Sequence, residues 1–541
     1  MNKLLSGLLI LSFATACGVF NKSNAPVPSI YEFSSSITQD LLYADLAVLA
    51  DDSLSGRETG TEGLQKAARY LSERYEALGL EAVGDNGTYY QKFDLVQPVT
   101  NGYIYTLTND GETIDQSVMN ADKSGNFYTV FGGTDDVEGE IVFAGYGAFD
   151  EANGINQFPE DVTGKWIMLI AEDGVTNMGR MQQLVRGGAV GALIITEPTN
   201  PMAYESDADA MKSRMGNTGR LSLKYMQSDN GSVSPAYNYV HPEMATKILG
   251  MSDLNEMQSM VEQIRQDPAS FNAMSTGYML AHSADIDEQT ITTQNVVAFI
   301  EGSDPELKDE VVVLSSHYDH VGIGRPDSTG DNIYNGADDD GSGTVATLHT
   351  AQAMMAAKKA GAGPSRSILF LHVSGEEKGL LGSRYYSDHP IYAIDNTVAN
   401  VNIDMIGRID PKYEGDDPYI YIIGGEIISS GLDSLSRAAN EMGPNLTLSK
   451  KYNDLNDPNR FYRRSDHWNF GRLGVPFVFF FNGTHEDYHR PSDELDKIAW
   501  EQYTQRTQLV YNLTALISES DERPVVDNQE FIEATQVQPR N

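Results

Sequence analysis

The 541-residue sequence predicts an α/β fold whose functional site lies beyond the carboxyl ends of its strands. Three observations predict it. Short apolar runs, Val311 to Leu314, Ile368 to Leu371, Val398 to Ile403 and Val475 to Phe481, each lead into a His, Asp or Glu. Between the first two, Gly343 to Ala357 is rich in Ala and Met with helical periodicity, as a crossover helix requires. From about Val99 to Asp285 the texture changes to short β-like runs separated by Gly, Asn and Asp turns. At this length two structural units are expected.

Taken in chain order, Lys3 precedes an apolar run from Leu4 to Phe13 and then Ala14-Thr15-Ala16-Cys17. The run is too short to span a bilayer and has the build of a secretory signal over residues 1–16. It resembles a bacterial lipoprotein signal, in which Cys17 is acylated and becomes the mature N-terminus. The expectation is an exported protein of the cell envelope, held to a membrane only by that lipid. Residues 17–36, polar with Asn, Ser and Pro, read as a tether. In the first catalytic part, residues 37–98, apolar positions from Leu64 to Leu78 recur at helical spacing and Gly79 supplies the stop. Residues 99–285 read as an inserted β-rich block, including Gly139 to Ala144, Lys165 to Ile170 and Gly187 to Ile195. Trp166 is expected to fill its core. The main catalytic part covers residues 286–520, and the polar stretch 521–541 reads as a disordered tail.

Composition narrows the function. Asp and Glu number 77 against 38 Lys and Arg, a net charge of −39. Phosphate backbones and anionic lipid surfaces would be repelled, so nucleic acid and electrostatic membrane docking are excluded as partners. Cys17 is the single cysteine, so no internal disulfide forms and stability rests on packing and metal.

The chemistry concentrates in five segments: SSHYDHVG with His317, NGADDDGSG with Asp339, VSGEEKG with Glu376 and Glu377, VNIDMIG with Asp404, and DYHRPSDE with His489. Imidazole and carboxylate donors without thiolates suit zinc or a similar divalent ion. Their number suffices for two ions sharing one carboxylate, which makes a metal-activated hydrolase the leading reading. Asp338 and Asp340 are expected to shape their loop through backbone hydrogen bonds. His320, His372 and His485 read as packing or supporting residues.

These segments, with DLAVLADDSLSGRETGTEG near residue 45, resemble the co-catalytic di-zinc aminopeptidase family of the bacterial leucyl aminopeptidase and aminopeptidase Y type. The resemblance implies a mixed, largely parallel central sheet flanked by helices, the zinc exopeptidase fold. Gly145-Tyr146-Gly147 and the run Arg186 to Ile194 make the insert similar to a protease-associated domain. By the same resemblance, His317 and Asp404 would hold one Zn²⁺, Glu377 and His489 a second, and Asp339 would bridge both. Asp319 would orient His317, Glu376 would be the general base, and Tyr462 would stabilise the oxyanion. The segment Ser465-Asp466-His467 would support the site. The substrate would be a peptide with a free N-terminus. A carboxypeptidase or dipeptidase of the same fold, a glutaminyl cyclase and a non-catalytic surface binding protein are the competing readings.

Overall fold

Two long strands, Tyr90–Asn109 and Met274–Ile300, pair antiparallel along nearly their whole length and tie the molecule together. The computed structural model describes residues 28–171, 183–184, 186–196, 200–212, 219–227 and 235–539. At its carboxyl end Met274–Ile300 enters the catalytic sheet antiparallel to Ser367–Val373. From there the sheet runs parallel through Val311–His317, Thr397–Ile403 and Phe477–Phe481, then turns antiparallel at Tyr419–Gly424. It is a mixed, largely parallel sheet flanked by helices. Its central strands are buried throughout, which is why they read as continuous apolar runs and not as alternating ones.

The helices follow local rules. Glu62–Leu78 begins where the Thr61 side chain accepts the Leu64 N–H, and it ends at Gly79 with φ 82°. Gly343–Lys359 is the crossover between the His317 strand and Ser367–Val373. With Gln39–Leu49 and Trp500–Glu519 it covers one sheet face, burying Leu46, Leu348, Met354 and Leu513 in a common core.

Residues inside the stretch 99–285 have their own cores. Val137–Phe143, Trp166–Ile170, Gly191–Ile195 and Ala236–Val240 run parallel side by side. Trp166 is fully buried there, its indole N–H donating to the Leu280 carbonyl at 2.9 Å. The expected divisions at Val99 and Asp285 fall within the two long strands, where Val99 faces Asp287. The insert therefore leaves the catalytic sheet through continuous hydrogen-bonded strands and not through loose linkers. A second tie is apolar: Leu221 and Leu223 join Phe93, Leu95 and Leu381 in one cluster, and the Tyr225 hydroxyl donates to Asp388 at 2.6 Å.

Two expectations need correction, and one falls outside view. The tether was expected to reach Ser36, but Ile30–Ser36 forms a 3-10 helix. Ile30 is buried in the main core, and its carbonyl accepts from the Tyr511 hydroxyl at 2.7 Å. Nor is the stretch after 520 a disordered tail through the described residues. Val526, Phe531 and Val537 pack into the cluster that holds Tyr452, Phe461 and Phe481, and Gln529–Thr535 is helical. Three separated apolar residues do this, too few to alter a polar composition. The expected signal over 1–16 and Cys17 lie outside the described residues; among those, no helix is long and apolar enough to cross a membrane.

Replacing the fully buried Phe531 with Ala should cost about 3–5 kcal/mol if the C-terminal segment is part of one cooperative core. An unchanged denaturation midpoint for Phe531→Ala would contradict the packing described for this segment.

Candidate metal centre

The catalytic strands end side by side, and their following residues converge. His317 closes its strand, the Glu376–Glu377 pair follows Ser367–Val373, and Asp404 follows Thr397–Ile403. His489 arrives in the loop after Phe477–Phe481. Asp339 sits where the chain turns into the crossover helix.

Two donor sets result, with Asp339 in both. On one side, His317 Nε2 lies 3.3 Å from Asp339 Oδ1 and 3.6 Å from Asp404 Oδ1. On the other, His489 Nε2 lies 3.1 Å from Asp339 Oδ2 and 3.1 Å from Glu377 Oε2. A tetrahedral ion with bonds near 2.0–2.2 Å would separate its donors by about 3.3–3.6 Å. Asp339 Oδ2, Glu377 Oε1 and His489 Nε2 are buried and have no hydrogen-bond partner. Buried polar atoms of this kind need a partner, and the donor types fit zinc.

The loop around Asp339 is fixed from three sides. Asp493 Oδ2 accepts the N–H groups of Asp338 and Asp339 at 3.0 and 3.1 Å. Asp338 Oδ1 accepts from the Gly407 N–H at 2.6 Å and the Ser342 hydroxyl at 2.8 Å. Asp340 accepts from the N–H groups of His317, Gly343 and Met405. Asp338 and Asp340 thus hold backbone, as expected, while Asp339 alone of the three enters both donor sets. Met405 and His489 adopt positive φ, 58° and 54°, a conformation that side-chain-bearing residues hold only under such constraint.

Charge is concentrated here. Burial pushes the Glu376 carboxyl well above the usual range, with Glu377 adding repulsion and His317 opposing both. Burial and Asp339 act against ionisation of Glu377, but the imidazoles of His320 and His489 beside it, at 2.9 and 3.1 Å, bring it down to about 2. Burial disfavours a charged His489, yet Asp339 and Glu377 raise it to about 10. A divalent ion held by these donors would take the place of protons on His317 and His489, whose proton affinity the carboxylates raise. Below the loop, the buried Arg57 guanidinium donates to the carbonyls of Leu49, Tyr318, Asn335 and Gly336. Its charge also faces Asp339, Asp340 and Asp493.

The structure brings His317, Asp339, Glu376, Glu377, Asp404 and His489 to one cavity. Two other expectations change. Asp319 does not orient His317 with its carboxylate, which lies 3.9 Å from Nδ1; its backbone carbonyl does, at 3.0 Å. The carboxylate instead accepts from the Thr59 hydroxyl at 2.8 Å and the Glu376 N–H at 3.2 Å, so it positions the Glu pair. Tyr462 does not line the cavity. Its ring packs edge-on to Trp468, and its hydroxyl accepts from Arg463 at 2.6 Å. The phenol at the cavity is Tyr488, which stacks on His489 with 4.0 Å between ring centres. Burial, Asp339 and Glu377 raise its hydroxyl well above the ordinary value, keeping it a proton donor. Adjacency to His489 in DYHRPSDE was the available signal for it. His320, read as a packing residue, stands with Asp339, Glu377 and His489 in the second donor set. In the supporting segment, Ser465 accepts from Asn402 at 3.0 Å and His467 stacks on Phe479, its burial lowering the imidazole to about 3.

Fold and paired donor sets define a metal-dependent hydrolase. Residues 295–514 match the model of peptidase family M28. A probable leucine aminopeptidase of Arthroderma otae is 24% identical over 352 residues, covering 57% of this chain and 91% of its own. Aminopeptidase Y of Saccharomyces cerevisiae is 26% identical over 265 residues, 46% of this chain and 43% of that relative. Among solved structures, an aminopeptidase from Aneurinibacillus sp. strain AM-1 superposes with a TM-score of 0.48 at 18% identity, covering 92% of this chain and 97% of the other.

Because one carboxylate of Asp493 fixes two N–H groups at the residue common to both donor sets, Asp493→Ala should loosen metal retention by about 10–100-fold, the range for supporting partners. Competition with a chelator measures this. Retention equal to the parent's would show that Asp339 is held without Asp493.

Proposed function

We propose that this chain is an exported aminopeptidase that removes N-terminal residues from peptides using two zinc ions. The observation that carries the reading is Asp339, whose two carboxylate oxygens face separate donor sets at 3.1 and 3.3 Å. His317 and Asp404 would hold one ion, Glu377 and His489 the other. Relatives named leucine aminopeptidase, aminopeptidase Y and aminopeptidase YwaD support the choice of the peptide's amino end. The signal-like Leu4 to Phe13 run before Cys17 supports export and a lipid anchor.

When bound, the ions would lower the pKa of a water from about 15.7 toward roughly 7 and polarise the scissile carbonyl. Glu376 takes the proton of the attacking water and returns it to the leaving amine nitrogen as the C–N bond breaks. The Glu376 N–H donates to Asp319, which sets the direction of the side chain. Tyr488 donates its hydroxyl to the carbonyl oxygen as negative charge develops there, a type of contact worth about 2.7–4 kcal/mol in deletion experiments. Met405, Phe461, Phe479 and Phe481 line the same cavity and offer an apolar seat for the first side chain.

The stretch 99–285, which we read as a protease-associated domain, would limit access. Gly219 and Arg220 line the outer cleft together with Glu376, Glu377 and His489. Long peptides must pass this edge, whereas small chromogenic substrates need not.

Elemental analysis of protein purified with zinc should give two equivalents per chain; one or fewer would refute the paired site. A peptide library should shorten from the amino end, and shortening from the carboxyl end would move the assignment to a carboxypeptidase.

The two adjacent glutamates provide an internal control. Glu376→Gln should keep both ions while the turnover rate falls by at least about 10²–10⁴-fold with little change in substrate affinity. Glu377→Gln should instead reduce metal content. Parent-level turnover by fully loaded Glu376→Gln would rule out this base.

A further inference from the structure

We infer that His320 is a metal ligand, donating Nδ1 to the ion held by Glu377 and His489. The inference rests on the two-ion reading and adds a donor to it. His320 is fully buried, and its Nδ1 lies 2.9 Å from Glu377 Oε1 and 3.7 Å from Asp339 Oδ2. Donor atoms of His320, Asp339, Glu377 and His489 all fall within 4.8 Å of one another.

Hydrogen bonding does not account for this arrangement. His320 Nδ1, Asp339 Oδ2, Glu377 Oε1 and His489 Nε2 are all buried without a hydrogen-bond partner. The contact between Nδ1 and Oε1 is short enough for such a bond but lacks the alignment. Separations of 2.9 to 3.7 Å instead suit corners of one coordination polyhedron, close to the edge of about 3.3–3.6 Å expected around zinc. A cation off the line joining the two atoms would satisfy both.

The ring is also held in place. The His320 N–H donates to the Arg57 carbonyl at 3.1 Å, anchoring its backbone to the buried guanidinium segment. The ring lies over Gly336, where a Cβ would come within 2.6 Å of Cδ2. Gly336 itself has φ 57°, so a side chain there is disfavoured twice.

The added donor makes the two sites unequal. The Glu377 ion would be held by four protein residues, His320, Asp339, Glu377 and His489. The His317 ion would have three, the pattern of zinc sites with an open position. His320 would thus make the Glu377 ion the more firmly held of the two.

X-ray absorption spectroscopy of the two-zinc protein tests this by counting imidazole nitrogens. Three imidazoles shared between two zinc ions are expected, from His317, His320 and His489. Two imidazoles shared between two ions would overturn the inference and leave the two-ion reading intact. A protein that never holds two ions would overturn both. In a second arm, His320→Ala should lower the count to two, and one ion should be lost to a chelator at least about 100-fold more readily. Unchanged retention of both ions by folded His320→Ala would refute the role. Should the variant fail to fold, the count on the parent protein decides.

Discussion

The structure depends on how buried carboxylates are kept from repelling one another. Asp319, Asp338, Asp339, Asp340, Asp466 and Asp493 are buried within one region, with Glu376, Glu377 and Asp404 at its edge. Two like charges about 4 Å apart at an effective dielectric of about 20 oppose each other by about 4 kcal/mol. The fold answers in three ways. Backbone N–H groups neutralise Asp338, Asp340 and Asp493, which in turn lock the loops. Arg57 and Arg408 bring fixed positive charge, Arg408 donating to Asp487 at 2.8 Å. Asp339 and Glu377 remain, facing imidazoles, and for them a divalent cation is the natural counter-charge.

This distribution explains why the site is assembled from distant segments. A single loop carrying so many acids would repel itself apart. Here Asp319, the Glu376–Glu377 pair, Asp404 and Asp493 each follow a different buried strand, and the sheet holds the strands whatever the acids do. The same clamps make the candidate donors interdependent: Asp493, four residues after His489, fixes the backbone of Asp339. The two long strands extend this logic outward. They carry the insert away from the catalytic sheet without a hinge, while the Leu221 and Leu381 cluster brings Arg220 back to the edge of the Glu377 segment.

The placement of the candidate donors near strand ends was legible in the sequence because central strands buried on both faces read as unbroken apolar runs. The Gly79 stop and the crossover helix were legible for equally local reasons, a left-handed cap and a helical period. The segment Val526 to Val537 was not, since only its packing partners distinguish Phe531 from a residue in a polar tail. Tyr462 and Tyr488 show the same limit. Both are tyrosines near the site in sequence, and only the path of the loops decides which ring faces the cavity.

The sequence by itself determined the α/β class and picked out the five candidate donor segments and their order, because hydrophobic period and donor chemistry are properties of short stretches. Tertiary structure alone decided that Asp319 serves the Glu pair through its carboxylate and His317 through its backbone. It alone brought the side chains of His320 and Tyr488 to the site and Arg57 beneath it. These are differences of direction over one or two ångströms. They are set by contacts between residues hundreds of positions apart, such as Arg57 with Asn335, and no local pattern encodes them.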